Sequence, residues 1–321
     1  MKKLLILSFL LLCSIALPSF SEEMQVIPVY FPDESWALLV DKYSYVLDKY
    51  DISDDNKQVY AIAFDQDAGV MMSIFMEKVK EKGTALDVRK KYFELAEKSP
   101  IKKSGIKMTE AKDKAMVEYM VEEYDGKKLD QKNVNIYMAQ GDAWIDVHLS
   151  KANYKPADES LFDRIKNTLR IKEKYEPSVW ETMGFGSHLF MGKKYSKAAE
   201  FFKKALDVKD SLKLLGRDNY IVLIDSLGMA YGISGDFKKS KEALEYGIKQ
   251  FPEYPMFYYN LACTFAEMND YDSTLKNLKQ ALKNKNNKLA TEEFPDPKTD
   301  SSFKKYIDKK DFIQAIEEGL K

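Results

Sequence analysis

The chain has few of the side chains that build metal centres and disulfide frameworks. It contains two histidines and two cysteines among 321 residues, so we expect no metal, no cofactor and no disulfide scaffold. It also has no excess of charge of either sign, with 50 Lys and Arg against 51 Asp and Glu. This balance gives no support to a nucleic-acid-binding protein, which needs a basic surface, or to a polybasic membrane-surface protein.

Long apolar runs are missing after the first 21 residues, although 45% of all residues are hydrophobic. We therefore expect buried cores and no membrane span in the mature chain, because a transmembrane helix needs about 20 consecutive apolar residues. The length predicts about two domains. Neither length nor composition indicates an oligomeric state.

Residues 1–21 have the layout of a secretory signal peptide. Two lysines at the start precede an apolar run from Leu4 to Leu17, and small serines at positions 19 and 21 precede Glu22. The run is too short for a membrane anchor, so we expect cleavage and an exported protein, periplasmic or secreted. A lipoprotein anchored at Cys13 is the disfavoured alternative, because Leu12 stands where a lipobox has a small residue.

The first predicted domain, residues 22–172, carries a period of two from about Trp36 to Ile171, which predicts antiparallel strands joined by hairpins. Turn signals at Asp65–Gly69 and at Gly141-Asp142 separate short alternating runs, as hairpins require. The alternating runs are Tyr60–Phe64, Val70–Met76, Val117–Val121, Val134–Met138 and Ile145–Leu149.

Two stretches of this half have a helical period instead. Thr84 and Asp87 have the spacing of a capping box at a helix start. The first helix then places Val88, Tyr92 and Leu95 on one face, and the second, over residues 157–169, does the same with Leu161, Ile165 and Leu169.

The order β-β-β-α-β-β-β-β-α, with the ending WIDVHLS…LFDRIKNTLRI, resembles the PsbP-like/DcrB-like group of α+β sandwiches. The resemblance spans roughly Met24 to Lys172. It implies an α/β sandwich with an antiparallel sheet in a small exported or accessory domain of a group that is often non-enzymatic. No functional residue is carried over from it, and the strand order stays open.

Asp146 and His148 lie on the same face of one predicted strand, beside Trp144. A catalytic base and its orienting carboxylate could be paired in this way, but no nucleophile or oxyanion site accompanies them. We therefore interpret them as part of a polar sheet face. The acidic segment Asp51–Asp55 lacks the Gly and the terminal Glu of a calcium loop and predicts a solvated turn.

Methionines on the predicted strands could suggest a site for a soft metal such as copper. They fall on both faces of separate strands, and methionine is also a common core residue, so core packing is our interpretation. These residues are Met71, Met72, Met76, Met116, Met120 and Met138.

Residues 176–321 repeat one pattern of small and large side chains three times. Gly186, Gly228 and Ala262 are each followed by a large residue 16 positions later and by a small one 19 positions later. Small residues allow two helices to approach closely, and large residues fill the space between one pair and the next. Predicted turns near Gly192, Gly235 and Asn269 separate the two helices of each pair.

This pattern is similar to the tetratricopeptide repeat (TPR). Gly228 and Ala262 are 34 residues apart, the period of that family. The longer first spacing predicts extended helices around Asp210–Asn219, with a turn at Gly216. The resemblance implies an all-α solenoid of three helix pairs, and the apolar stripe from Phe312 to Leu320 predicts a capping helix. The fold class of the whole chain is thus α+β.

The resemblance also implies a concave groove lined by the first helix of each pair. Aromatic and Met side chains in such a groove suit an extended or helical peptide. Asn260 matches one position of the family's carboxylate clamp, but the basic residues of that clamp are absent, so we expect no acidic-tail clamp. Cys263 has a core-like position and is expected to be a buried thiol. The expected lining is Trp180, Met183, Ser187, Phe190, Val222, Asp225, Met229, Ile233, Met256, Tyr259, Asn260, Cys263 and Glu267.

These features predict an exported, non-enzymatic protein that buries a partner peptide or protein segment against Tyr259, Met229 and Trp180. The groove could instead be filled by the N-terminal domain, the linker or an insertion of the same chain. The alternative function is a small-molecule or lipophile carrier with an apolar pocket among the strands of Val70–Leu149. A hydrolase built on Asp146 and His148 ranks last.

Overall fold

The computed structural model describes residues 26–320, with the backbone alone for Leu320. The predicted signal peptide and Cys13 lie outside these residues. The chain divides into two compact units, one ending at Glu176 and the other beginning at Pro177. Among residues 26–320, no helix combines the length and the apolar composition that crossing a membrane requires.

The first unit consists of antiparallel strands with two α-helices. Seven strands form one sheet in the order β3-β4-β5-β9-β8-β7-β6, and three form a second in the order β1-β2-β10. The elements are β1 (Val26–Val29), β2 (Trp36–Asp41), β3 (Val46–Ile52), β4 (Gln58–Asp65), β5 (Val70–Lys78), α1 (Ala85–Glu97), β6 (Ser104–Glu110), β7 (Ala115–Tyr124), β8 (Lys127–Gln140), β9 (Ala143–Lys151), α2 (Glu159–Thr168) and β10 (Arg170–Glu173).

The predicted hairpins are confirmed. The Asp65 carboxylate accepts the Ala68 N–H at 2.9 Å, which holds the loop between β4 and β5 closed. The turn between β8 and β9 depends on Gly141, whose φ of +62° is a left-handed conformation that glycine adopts without strain. Only the end of the segment Asp51–Asp55 is the expected solvated turn: Asp54 and Asp55 are exposed in the turn toward β4, whereas Asp51 and the buried Ile52 end β3.

The expected strand count before the first helix is wrong. Five strands precede α1 where the sequence predicts three. Strand β2 shows no alternation, because all but its last residue are buried. Its partner β10 pairs with it through Arg170 and Leu39, a contact between distant parts of the chain that no local pattern reveals.

One face of the seven-stranded sheet is a closely packed apolar core. Methionines share this core with β-branched residues, which supports the packing interpretation for Met72, Met76 and Met138. The side chains with 0% exposure include Met72, Met76, Val134, Ile136, Met138, Ile145, Val147 and Leu149.

Helix α1 packs on the opposite face of the sheet. Thr84 and Asp87 form the predicted capping box. Val88 and Phe93 are buried against Tyr137 and its neighbours on β7. Leu95 was expected on this face and is instead 52% exposed, because Phe93 takes the buried position.

Helix α2 is held to the sheet by paired charges as well as by its buried Phe162 and Ile165. Lys166 contacts Glu118 at 3.0 Å and Glu159 at 3.3 Å, and Lys132 pairs with both glutamates. Burial opposes ionisation of Glu159, but hydrogen bonds from Lys132 and Tyr154 lower its pKa to about 2. The network is therefore charged at neutral pH.

The second unit is a row of helix pairs followed by a single helix. Within each pair the second helix runs back along the first, and each pair contacts the next. The helices are α3 (Val179–Met191), α4 (Tyr195–Asp207), α5 (Ser211–Ser234), α6 (Phe237–Gln250), α7 (Pro255–Glu267), α8 (Tyr271–Lys283) and α9 (Lys310–Leu320).

Close contact between a small and a large side chain joins the helices. A Cβ atom added to Gly186 would lie 2.7 Å from the Phe202 ring, and one added to Gly228 would lie 2.5 Å from Leu244. These are the positions that the sixteen-residue spacing pairs. The predicted turn at Gly216 is an interruption of the helical backbone inside α5, where φ is 75°. It accommodates the residues by which the first repeat spacing is longer than the second.

Gly228→Ala should destabilise the second unit by about 1–3 kcal/mol, because the added methyl group must displace Leu244 in a filled core. Gly184→Ala is the matched control, since nothing lies within 4 Å of its added Cβ. There the change should stabilise the helix by up to about 1 kcal/mol. Urea denaturation of both variants checks this, and equal effects would contradict the close-packing argument.

Candidate functional site

The first helices of the three pairs, α3, α5 and α7, pack side by side. The residues expected in the groove are therefore brought to neighbouring helices. Met183 and Phe190 on α3, Asp225 on α5, and Met256, Tyr259, Asn260 and Cys263 on α7 are buried. Trp180, Ser187, Val222, Met229 and Ile233 are half-buried, and Glu267 is exposed.

A segment of the chain itself covers the groove at α7. We call residues 288–303 the strap; it belongs to the connection between α8 and α9. The Tyr259 ring lies 5.6 Å from that of Phe294 and 5.7 Å from that of Phe303. Tyr259 is consequently 1% exposed and is no accessible anchor, contrary to the expectation. Of the ways in which the chain could fill its own groove, an insertion is the one used here.

Two carboxylates of the strap accept hydrogen bonds from tyrosines at α7, one on the helix and one directly before it. The Tyr254 hydroxyl donates to Glu292 Oε1 at 2.7 Å, and the Tyr259 hydroxyl donates to Asp300 Oδ2 at 3.0 Å. The Cys263 thiol also contacts Asp300 Oδ2, at 3.7 Å. The groove thus holds carboxylates through hydroxyl groups and needs no lysine or arginine to do so.

The other oxygen of each carboxylate orders the strap. Glu292 Oε2 accepts the Leu289 N–H at 3.1 Å. Asp300 Oδ1 accepts the Ser302 N–H at 2.9 Å and begins the short 3₁₀ turn of residues 301–303. Each acid therefore fixes the backbone of the strap and its contact with α7 at once.

Asp225 lies beneath this contact, and its oxygen Oδ1 accepts the Asn260 amide at 2.8 Å. Burial and then the charge of Glu292 raise its pKa to about 7, against the opposing effect of the Asn260 hydrogen bond. Burial also raises the pKa of Tyr259 and of Cys263. The hydroxyl and the thiol therefore stay protonated and serve as donors at neutral pH.

A small cleft remains beside the strap, between α5 and α7. Its volume is about 40 Å³, far below the roughly 300–1,000 Å³ of sites for small organic ligands. It is lined by Gly228, Met229, Gly232, Ile233, Phe237, Ser240, Asn260, Cys263, Thr264, Glu267 and Ser302. The accessible surface here suits one or two side chains of a bound segment and not a cofactor.

No protein-family model matches the chain, and no curated protein matches it. Among solved structures, the TPR domain of Sgt2 from Aspergillus fumigatus is 16% identical and has a TM-score of 0.31; the match covers 45% of this chain and 78% of that one. PcrH from Pseudomonas aeruginosa is 12% identical, with a TM-score of 0.31, over 44% of this chain and 92% of that one.

A third solved structure is similar in the same distant way. It is the cyanobacterial PsbP protein (CyanoP) from Synechocystis sp. PCC 6803, 13% identical, with a TM-score of 0.34, over 46% of this chain and 93% of that one. The similar structures thus include a TPR domain and a PsbP protein, the two groups that the sequence resembles. At TM-scores this low, none of them assigns a family or a function to the chain.

Asp146 and His148 each bond an asparagine of the neighbouring strand β8. Asp146 accepts the Asn135 amide at 3.0 Å, and His148 Nε2 lies 3.0 Å from Asn133 Oδ1. Burial raises the pKa of Asp146 to about 6 and lowers that of His148 to about 4. A histidine with so low a pKa is a poor base at neutral pH, so this pair gives the hydrolase hypothesis no support.

The strands proposed for a lipophile pocket point their apolar side chains into the packed core. Met72, Ile74, Met76, Val147 and Leu149 are each at most 2% exposed. In the part of the chain that the structure describes, no group of three or more His, Cys, Asp or Glu side chains could hold a metal ion.

Sequence reasoning missed the strap. Its residues have no helical or strand period. One signal was available, because the distance between α8 and the capping pattern is far longer than the two to eight residues usual between helices of a bundle.

Asp225→Asn should remove a pH dependence from the stability of the second unit. A carboxyl whose pKa rises from 3.8 to about 7 on folding stabilises the fold below its unfolded pKa, and this stability is lost as the pH rises through 7. We expect the wild type to lose about 2–4 kcal/mol between pH 4 and pH 8 from this group. The Asn variant should be the more stable of the two at pH 8.

Urea denaturation at pH 4 and at pH 8 measures the difference. Asp272→Asn, on the exposed side of α8, is the control and should leave the pH dependence intact. A pH dependence unchanged in Asp225→Asn would show that the buried carboxyl is ionised in the folded chain.

Proposed function

We propose that this chain is an exported, non-enzymatic protein that binds an extended segment of a partner protein along the concave face of α3, α5 and α7. The supporting observation is the strap. The groove already accommodates a segment that is neither helix nor strand, and Tyr259 and Cys263, two of the positions that the repeat register places in the groove, hold it through Asp300. A surface that binds one such segment has the chemistry to bind another.

The accessible contacts for a partner lie next to the strap. Met229 and Ile233 are half-buried and line the cleft between α5 and α7. Exposed Glu267 borders the same cleft. Flexible Met side chains adapt to different partners, so Met229 replaces Tyr259 as the expected first anchor.

Peptide display against the immobilised full chain provides a ligand for the test. Met229→Glu should weaken binding of a selected peptide at least about tenfold, or about 1.4 kcal/mol, because it puts a charge at an apolar contact. Met268→Glu is the matched control, since Met268 is 46% exposed at the end of α7 and outside the cleft. Equal affinities in both variants would remove the groove from the proposed function.

Export is the second part of the proposal and rests on residues 1–21. We expect protein isolated from its native cells to begin at Glu22, as determined by N-terminal sequencing, and to be found outside the cytoplasm. A chain that keeps Met1 and remains in the cytoplasm would contradict export without affecting the groove.

A further inference from the structure

The strap is much longer than a connection between neighbouring helices requires. Helix α8 ends at Lys283 and α9 begins at Lys310, and the residues between them form short 3₁₀ turns, other turns and stretches without regular secondary structure. Loops longer than about 12–15 residues are uncommon in compact domains and usually carry a function. Helix α9 nevertheless packs on α8, so the chain leaves the pair, crosses α7 and returns.

The strap has the form of a bound peptide. Pro295 and Pro297 restrict its backbone and favour extended conformations, which lowers the entropy lost on docking. The bonds described between Glu292 or Asp300 and α7 run from side chain to side chain. Lifting the strap would therefore break no hydrogen bond of the helix backbone.

We propose that the strap is a removable occupant of the groove, and that the partner segment replaces it on α7 with the same chemistry: an extended peptide carrying an aromatic residue between carboxylates. The inference rests on the proposed function and adds to it both the class of ligand and the step that exposes the site. Tyr254 and Tyr259 receive the two carboxylates, and the face of Tyr259 receives the aromatic ring.

The probe is a fluorescent synthetic peptide with residues 288–303 of this chain. The full chain with Glu292→Gln and Phe294→Ala has a loosened strap and should bind the peptide at least about tenfold more tightly than the wild type, because apparent affinity scales with the open fraction. The control chain carries Glu293→Gln and Lys298→Ala at exposed strap positions and should behave as the wild type. Fluorescence anisotropy measures all three.

A cycle of variants tests where the peptide binds. In the loosened chain, Tyr259→Phe should weaken binding of the peptide, and this loss should vanish when the peptide itself carries Asp300→Ala, since each change removes the same hydrogen bond between the two side chains. If the losses of binding free energy from the two changes simply add, the peptide does not bind at Tyr259, and the inference is overturned. Circular dichroism monitors folding, and Phe294→Leu alone, which keeps most of the side-chain volume, is the milder variant if the double change unfolds the chain.

Hydrogen exchange separates this inference from the proposed function. A displayed peptide that depends on Met229 should speed exchange of residues 288–300 as it displaces the strap. The opposite result has three parts: such a peptide binds, the strap keeps its protection from exchange, and the loosened chain binds no more tightly than the wild type. In that case the groove remains a binding site, but the strap is only structural and the inference is overturned. A dimer of the loosened chain that excess peptide does not dissociate would mean that a second copy occupies the groove, and would also overturn the inference.

Discussion

The second unit depends on the close approach of paired helices at positions where one helix carries a glycine. Gly186 against Phe202 and Gly228 against Leu244 leave no room for a methyl group. This contact sets the spacing within each pair, and the spacing brings α3, α5 and α7 side by side. The shared surface of α3, α5 and α7, the strap on α7 and the buried Asp225 all follow from that arrangement, since a wider pair would separate α5 from α7.

The parts of the fold that sequence reasoning predicted are those fixed by local contacts. The pairing of Gly228 with Leu244 lies within one repeat, so its spacing is visible in the chain. The Thr84 capping box and the Asp65–Gly69 hairpin are likewise short-range. The pairing of β2 with β10 has no local signal because it joins residues far apart, and a strand as buried as β2 shows no alternation.

The helices that form the candidate site were predicted from the sequence, but the segment that covers α7 was not. The repeat register placed Tyr259, Asn260 and Cys263 together on α7, but it could not show that Phe294 and Asp300 cover them. An extended segment is held by contacts with another element and has no period of its own. Burial also changes the chemistry of these residues: Tyr259 and Cys263 act as donors to a carboxylate, which their residue types alone do not indicate.

The strap also has a place in the order of folding. Its bonds join residues 38 and 41 positions apart, whereas the two helices of a pair meet over much shorter loops. Longer loops lose more entropy on closure and tend to close later. Since synthesis proceeds from the N-terminus, α7 is complete while Glu292 is still to be added. During folding the helix pairs can therefore form first, and Tyr254 and Tyr259 stay uncovered until the strap closes over them.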